Sequence, residues 1–148
     1  MEQRPDELDL VNHPAHYNSH PSGVETVDVN EWFSGNVAAA IKYVWRRDHK
    51  EPVPLRDLQK AEWYLERELR RLGGDFYATF LLPMSPATGE QFQARIMRVY
   101  RHEPEGGVLG GVLMALWRTE GDSLAACVES ALSVVRFAIA AAAQERLR

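Results

Sequence analysis

Apolar positions recur at helical spacing along most of this chain. In the run Gly35-Asn36-Val37-Ala38-Ala39-Ala40-Ile41-Lys42-Tyr43-Val44-Trp45-Arg46-Arg47, an advance of about 100° per residue puts Val37, Ala40, Ile41, Val44 and Trp45 on one side. Lys42, Tyr43, Arg46 and the small Ala39 fall on the other. A second stripe, Leu58, Ala61, Leu65, Leu69 and Leu72, advances by threes and fours and predicts a helix from about Leu55 to Leu72. Gly73-Gly74 supplies its stop. Upstream, Ser22 followed by Glu25 has the spacing of a capping box, which predicts a helix from Gly23 to Phe33, buried through Val24, Val27 and Trp32 with Val29 or Phe33. Ser34-Gly35 breaks it. Residues 11–22, with two prolines, read as a loop, and residues 1–10 as a disordered acidic lead-in.

The second half is less regular. Phe76 to Leu82 is a short apolar run that fits a strand or a buried helical segment, and periodicity does not choose between them. Pro83, Pro86 and Gly89 mark a turn. Glu90 to Tyr100 reads as a helix with Phe92, Ile96, Val99 and Tyr100 on one side, and Glu103 to Gly107 as a linker. Val108 to Thr119 is apolar at 109, 112, 113, 116 and 117. Asp122 is the expected N-cap of a long alanine-rich helix with the stripe Leu124, Val128, Leu132, Val135 and Ile139. The fold class is therefore mainly α, a compact multi-helix domain with a short strand or irregular segment near residues 76–82. It divides into the lead-in, a helical domain over 11–74, and a helical extension over 75–148 that packs on it.

Composition narrows the function. A chain of 148 residues buries a core without disulfides or metals. The single cysteine, Cys127, has Leu124, Val128 and Ala131 as helical neighbours and reads as an inert core thiol. A lone cysteine fits a reducing compartment, hence a cytoplasmic location. No apolar stretch approaches the roughly 20 residues of a membrane span. A net charge of −4 argues against binding duplex nucleic acid, so anion binding must be local.

Five features could carry chemistry. Lys42 and Arg46 stand four apart, where like charges repel. A tyrosine and a methyl-sized gap beside them make an anion seat. On the next helix Asp57, Lys60, Tyr64 and Glu68 form one polar line: either solvated pairs, or a face turned toward Lys42 and Arg46. Trp63, opposite Leu65 and Leu69, points to a second packed surface, from the C-terminal half or from another subunit. His13, His16, Tyr17 and His20 lie in one loop, suited to acid/base work, to closing on a nucleobase, or simply to packing rings on the helices. Glu25 and Asp28, three apart, have the spacing of a Mg²⁺ site, while Glu25 also fits the capping box. Ser34-Gly35-Asn36 opens a helix, where free N–H groups favour phosphate, or is a plain interhelical turn. A Walker-type loop is absent: Gly106 to Gly111 lacks the following Lys-Ser/Thr and reads as a flexible lead into the next helix.

The ordered string Val11-Asn12-His13-Pro14-Ala15-His16-Tyr17, Gly23-x-Glu25-x-x-Asp28-Val29, Gly35-Asn36, Ile41-Lys42-Tyr43-Val44-Trp45-Arg46, Lys50, and Asp57-Leu58-x-Lys60-Ala61-x-Trp63-Tyr64-Leu65-x-Arg67-Glu68 resembles a small nucleotide kinase-like family of bacteriophages and prophages, long catalogued as a domain of unknown function. The resemblance covers residues 11 to about 70. It implies a kinase of deoxynucleoside monophosphates without a P-loop, with a nucleoside triphosphate as donor, Mg²⁺ as cofactor, a homo-oligomeric state and the host cytoplasm as location. On this reading Lys42 and Arg46 bind phosphate, with Lys50 and Lys60 as helpers. Asn36, Tyr43 and Tyr64 complete the substrate surface. Glu25 and Asp28 hold the metal or orient the acceptor. His13, His16 and Tyr17 close over the base or move protons. Three other readings stay open: a nucleotide pyrophosphohydrolase, a nucleotide-binding protein without turnover, and a helical interaction module.

Overall fold

The computed structural model describes residues 20–46, 54–75, 77–117 and 123–147. Among them six helices form: α1 (Thr26–Asn30), α2 (Gly35–Arg46), α3 (Pro54–Leu72), α4 (Pro86–Arg101), α5 (Val108–Leu116) and α6 (Leu124–Arg146). The expected all-α class is the one observed. Four helices close a ring of contacts: α2 on α3, α3 on α6, α6 on α5, and α5 back on α2. α1 and α4 lie outside this ring, α1 against α2 and α4, and α4 against α5.

The stripes explain the ring. α2 buries Val37, Ala40, Ile41, Val44 and Trp45, the set its periodicity assigns. α3 buries Leu58, Ala61, Leu65 and Leu72, with Leu69 half-buried at the edge. It ends as predicted, with Gly74 in the left-handed conformation at φ +83°. α5 contributes Val108, Leu109, Val112, Leu113 and Leu116, and α6 contributes Val128, Ala131, Leu132 and Val135 around the buried Cys127. Burial of that thiol agrees with the inert-core reading.

Several expectations need correction. The first helix is only Thr26–Asn30. Gly23 sits at φ +76°, outside helical geometry, and the Ser22 hydroxyl is engaged elsewhere, accepting from Val24 N–H at 3.1 Å. The capping box therefore forms three residues later, between Glu25 and Asp28. The Phe76–Leu82 run is neither strand nor helix in its described residues. Ser34 N–H donates to Phe80 O and Leu82 N–H to Trp32 O, both at 2.7 Å, pinning this segment beside Phe33. Pro86 and Gly89 belong to α4 and not to a turn: Ser85 caps the helix, accepting from Thr88 N–H, and Pro86 at the first position needs no N–H. Tyr100 is exposed on α4's flank. Ser123 caps α6, accepting from Ala126 N–H at 3.1 Å, while Asp122 lies outside the described residues. Leu124, one residue inside the helix, remains exposed.

The glycine run leads into α5 at Gly106 and Gly107 and continues inside it, where Gly110 and Gly111 serve close packing. A Cβ on Gly111 would meet Val134 Cγ1 at 2.9 Å, so glycine lets α5 approach α6 closely. Among the described helices, α6 is long and apolar enough by length and composition to cross a membrane, contrary to the sequence expectation. Its apolarity comes largely from alanine, and here it packs against α3 and α5.

Candidate functional site

The stacked hairpin of α2 and α3 brings the predicted residues together from two directions. The helices run antiparallel: residues 34 and 36 meet residue 68 at one end, and residue 43 meets residues 60 and 64 toward the other. Tyr43 leaves the buried face of α2 and stacks on Tyr64 of α3, with ring centres 5.9 Å apart and planes 16° from parallel. Three cations surround the Tyr43 ring. Lys60 Nζ lies 5.0 Å from its centre, Lys42 Nζ 5.3 Å, and the Arg46 guanidinium carbon 5.7 Å. Each is within the range where a ring face attracts a cation, a contact worth about 0.5–1 kcal/mol at exposed sites. The ring offsets part of the repulsion among three like charges and holds them on one side of the hairpin. No described carboxylate forms an ion pair with Lys42 or Lys60.

The polar line on α3 is split by this arrangement. Lys60 and Tyr64 do face Lys42 and Arg46. Glu68 and Asp57 are not solvated at all, being 0% and 3% exposed. Glu68 fills the seat at the start of α2 that the sequence offers to a phosphate. Ser34 Oγ–H donates to Glu68 Oε1 at 2.9 Å, Asn36 Nδ2–H to Oε2 at 3.0 Å, and Arg71 Nε–H to both oxygens at 3.0 and 3.2 Å. Burial alone would raise the Glu68 carboxyl's pKa. The donors from Arg71, Asn36 and Ser34 outweigh burial and hold it below the ordinary glutamate value. Asn36 is thus placed with Glu68, about 9 Å along the helix axis from Lys42. Arg71 also reaches Thr79 O, tying the irregular segment to the same knot. Asp57 Oδ2 has no hydrogen-bond partner, although it is buried in the first turn of α3.

Glu25 and Asp28 begin α1. The Glu25 N–H donates to Asp28 Oδ2 at 3.1 Å, and the Glu25 side chain returns to the backbone of residue 28. Both carboxylates therefore take part in the capping of α1, and among the described residues no group of three His, Cys, Asp or Glu side chains could hold a metal. His13, His16, Tyr17 and Lys50 lie outside the described residues.

His20 is the histidine the structure does place, and it packs its ring as one sequence reading allowed. It is buried, 5.4 Å from Trp45 between ring centres. Its Nδ1 accepts from Ser22 N–H at 3.1 Å, and its Nε2 lies 2.6 Å from Glu103 Oε1. This pair joins the loop before α1 to the connection after α4. Glu103 was out of reach of pattern reading, since no local spacing relates it to His20. For Glu68 a signal existed: it lies three residues before Arg71 and on the line of buried Asp57.

Residues 11–66 match a family described only as a protein of unknown function, DUF3310. The match takes in α1, α2 and most of α3, including Lys42, Tyr43, Arg46, Lys60 and Tyr64, and stops short of Glu68 and Arg71. Comparison with curated proteins and with solved structures returns no match.

Proposed function

We propose that this protein binds a nucleotide on the α2–α3 hairpin and transfers a phosphoryl group to a deoxynucleoside monophosphate. The observation that carries the reading is the convergence of Lys42, Arg46 and Lys60 around the Tyr43 ring, itself stacked on Tyr64. A nucleotide needs a cationic cradle for phosphate and an aromatic surface for its base, and this face offers both. Arg46 suits a two-pronged phosphate contact, while Lys42 and Lys60 act as point charges. Phosphoryl transfer asks a protein mainly for positioning and for charge stabilisation. In the reaction the bond from the donor's γ-phosphorus to its bridging oxygen breaks. A bond to a phosphate oxygen of the monophosphate forms, leaving two diphosphates.

Binding without turnover is the second reading. It is favoured by the commitment of Glu25 and Asp28 to the start of α1. The two separate cleanly. A monophosphate at about a hundred times its Kd stabilises the native state by about 2.7 kcal/mol, which raises the Tm by several degrees. The expected result is a shift with deoxynucleoside monophosphates that disappears in Lys42→Ala/Arg46→Ala. A well-folded double variant that keeps the shift overturns the site. Labelled triphosphate then distinguishes transfer to the monophosphate from pyrophosphate release and from no reaction.

A further inference from the structure

α3 carries a second cationic feature that adjoins the Tyr43 cradle at Lys60 and runs along the helix away from it. Arg56, Lys60, Trp63, Arg67 and Arg70 follow one another at steps of four, three, four and three. At about 100° per residue these positions fall within roughly 80° of the helix circumference and extend about 21 Å along it. Arg56, Arg67 and Arg70 are exposed, and Trp63 is 50% exposed, unusual for so large an apolar ring. Cations three or four apart disfavour the helix that carries them. The acids on the same helix do not relieve them. Arg136 of α6 engages two of the four: its Nη2–H donates to Glu66 Oε1 at 2.8 Å and its Nε–H to Glu62 Oε2 at 3.3 Å. The C-terminal half thus engages Glu62 and Glu66, and among the described residues no carboxylate forms an ion pair with Arg56, Arg67 or Arg70.

Trp63 is held for stacking. Its ring stands at 90° to Tyr64 with centres 4.9 Å apart, and the Arg67 guanidinium lies 5.4 Å from its centre. We infer that this strip binds single-stranded nucleic acid, with Arg56, Lys60, Arg67 and Arg70 on phosphates spaced along the strand and Trp63 against an unpaired base. Cations tracking a backbone with an interleaved aromatic platform are the recurring means of sequence-tolerant single-strand binding. At about 3.4 Å per phosphate of a stacked strand, 21 Å has room for about six phosphates. A strip one helix wide on a chain of net charge −4 does not supply the broad positive field a duplex needs. An acidic peptide would match the charge and leave the exposed indole without a purpose. The strip shares only Lys60 with the nucleotide cradle, so the two sites fail separately.

The test is fluorescence anisotropy of the full chain with a labelled single-stranded thymidylate dodecamer at low salt, titrated with KCl. Binding should weaken with salt at a log–log slope of about −0.7 for each phosphate neutralised. Arg56→Ala/Arg67→Ala should lose roughly two phosphates' worth of that slope. Trp63→Ala should weaken binding about tenfold, and Trp63→Phe should recover most of it. Circular dichroism should show the helices intact in each. No binding at the lowest salt, wild-type affinity in these variants, or equal binding of a duplex dodecamer or a polyglutamate peptide overturns the inference. Thymidine monophosphate in the same variants reads the other site. Its stabilisation should persist in Arg56→Ala/Arg67→Ala, and if it persists while the dodecamer never binds, this inference fails and the nucleotide reading stands.

Discussion

At the N-terminal end of α2 a carboxylate sits among donors that match it; toward the other end of the same helix three cations crowd a single tyrosine ring. Both groups lie on the α2–α3 hairpin, and both draw on residues from its two sides. The first closes on itself. Glu68 is fully buried and takes hydrogen bonds from Ser34, Asn36 and Arg71, three partners from two helices and the turn between α1 and α2. The second gathers Lys60, Lys42 and Arg46 at 5.0 to 5.7 Å from the Tyr43 ring. A satisfied buried network fixes a structure, whereas a group of like charges on a surface costs stability and leaves room for an anion. The contrast separates the part of the hairpin that holds the fold from the part available to a ligand.

The largest expected effect breaks the first end. Glu68→Ala strands the Asn36 and Ser34 donors and frees Arg71, and should lower the unfolding free energy by about 3 kcal/mol in urea denaturation. A loss near 0.5 kcal/mol would mean that the network contributes nothing beyond surface pairing. The pH dependence sharpens the same point. Because the Glu68 carboxyl titrates below its ordinary value, its stabilisation is present above that value, about 4.5, and is lost as pH falls through the lower native value. The stability gap between wild type and Glu68→Gln should therefore be widest near neutrality and narrow as pH falls below about 4.5. A gap that stays constant across this range contradicts the assignment.

Ser34→Ala removes one donor and leaves the rest of the network in place, so about 1 kcal/mol is expected by the same denaturation. The smallest effect belongs to the second end. Lys42→Ala should change stability by no more than about 0.5 kcal/mol, with a rise as acceptable as a fall, since it relieves repulsion from Arg46. Raising KCl should stabilise the wild type more than this variant, because salt screens the repulsion only the wild type contains. A Lys42→Ala loss comparable to that of Glu68→Ala would erase the distinction between the two ends.

How much of this was legible in the sequence depends on whether the cause is local. The buried face of α2 follows from helical period alone, and Val37, Ala40, Ile41, Val44 and Trp45 are all inside. The Gly73-Gly74 stop of α3 is local as well. The meeting of Lys60 and Tyr64 with Lys42 was readable because a short loop between two stripes enforces antiparallel neighbours. Other features were decided by competition. Ser22 and Glu25 had the right spacing for a box, and Ser22 lost that role because its hydroxyl turned to Val24 and His20. Pro86 resembled a turn residue and became a helix start because Ser85 caps it. The burial of Glu68 needed a partner set drawn from two helices, Ser34 and Asn36 on one side and Arg71 on the other, which no single stripe reveals. Likewise His20 and Glu103 are 83 positions apart.

The four-helix ring also bears on how far the matched segment can stand alone. α2 and α3 lie within or across the edge of residues 11–66, while α5 and α6 lie wholly beyond it. The matched segment therefore supplies two staves of a four-stave barrel, and here the others come from the same chain. On their own, α2 and α3 would expose to water the apolar stripes that α5 and α6 cover in this chain.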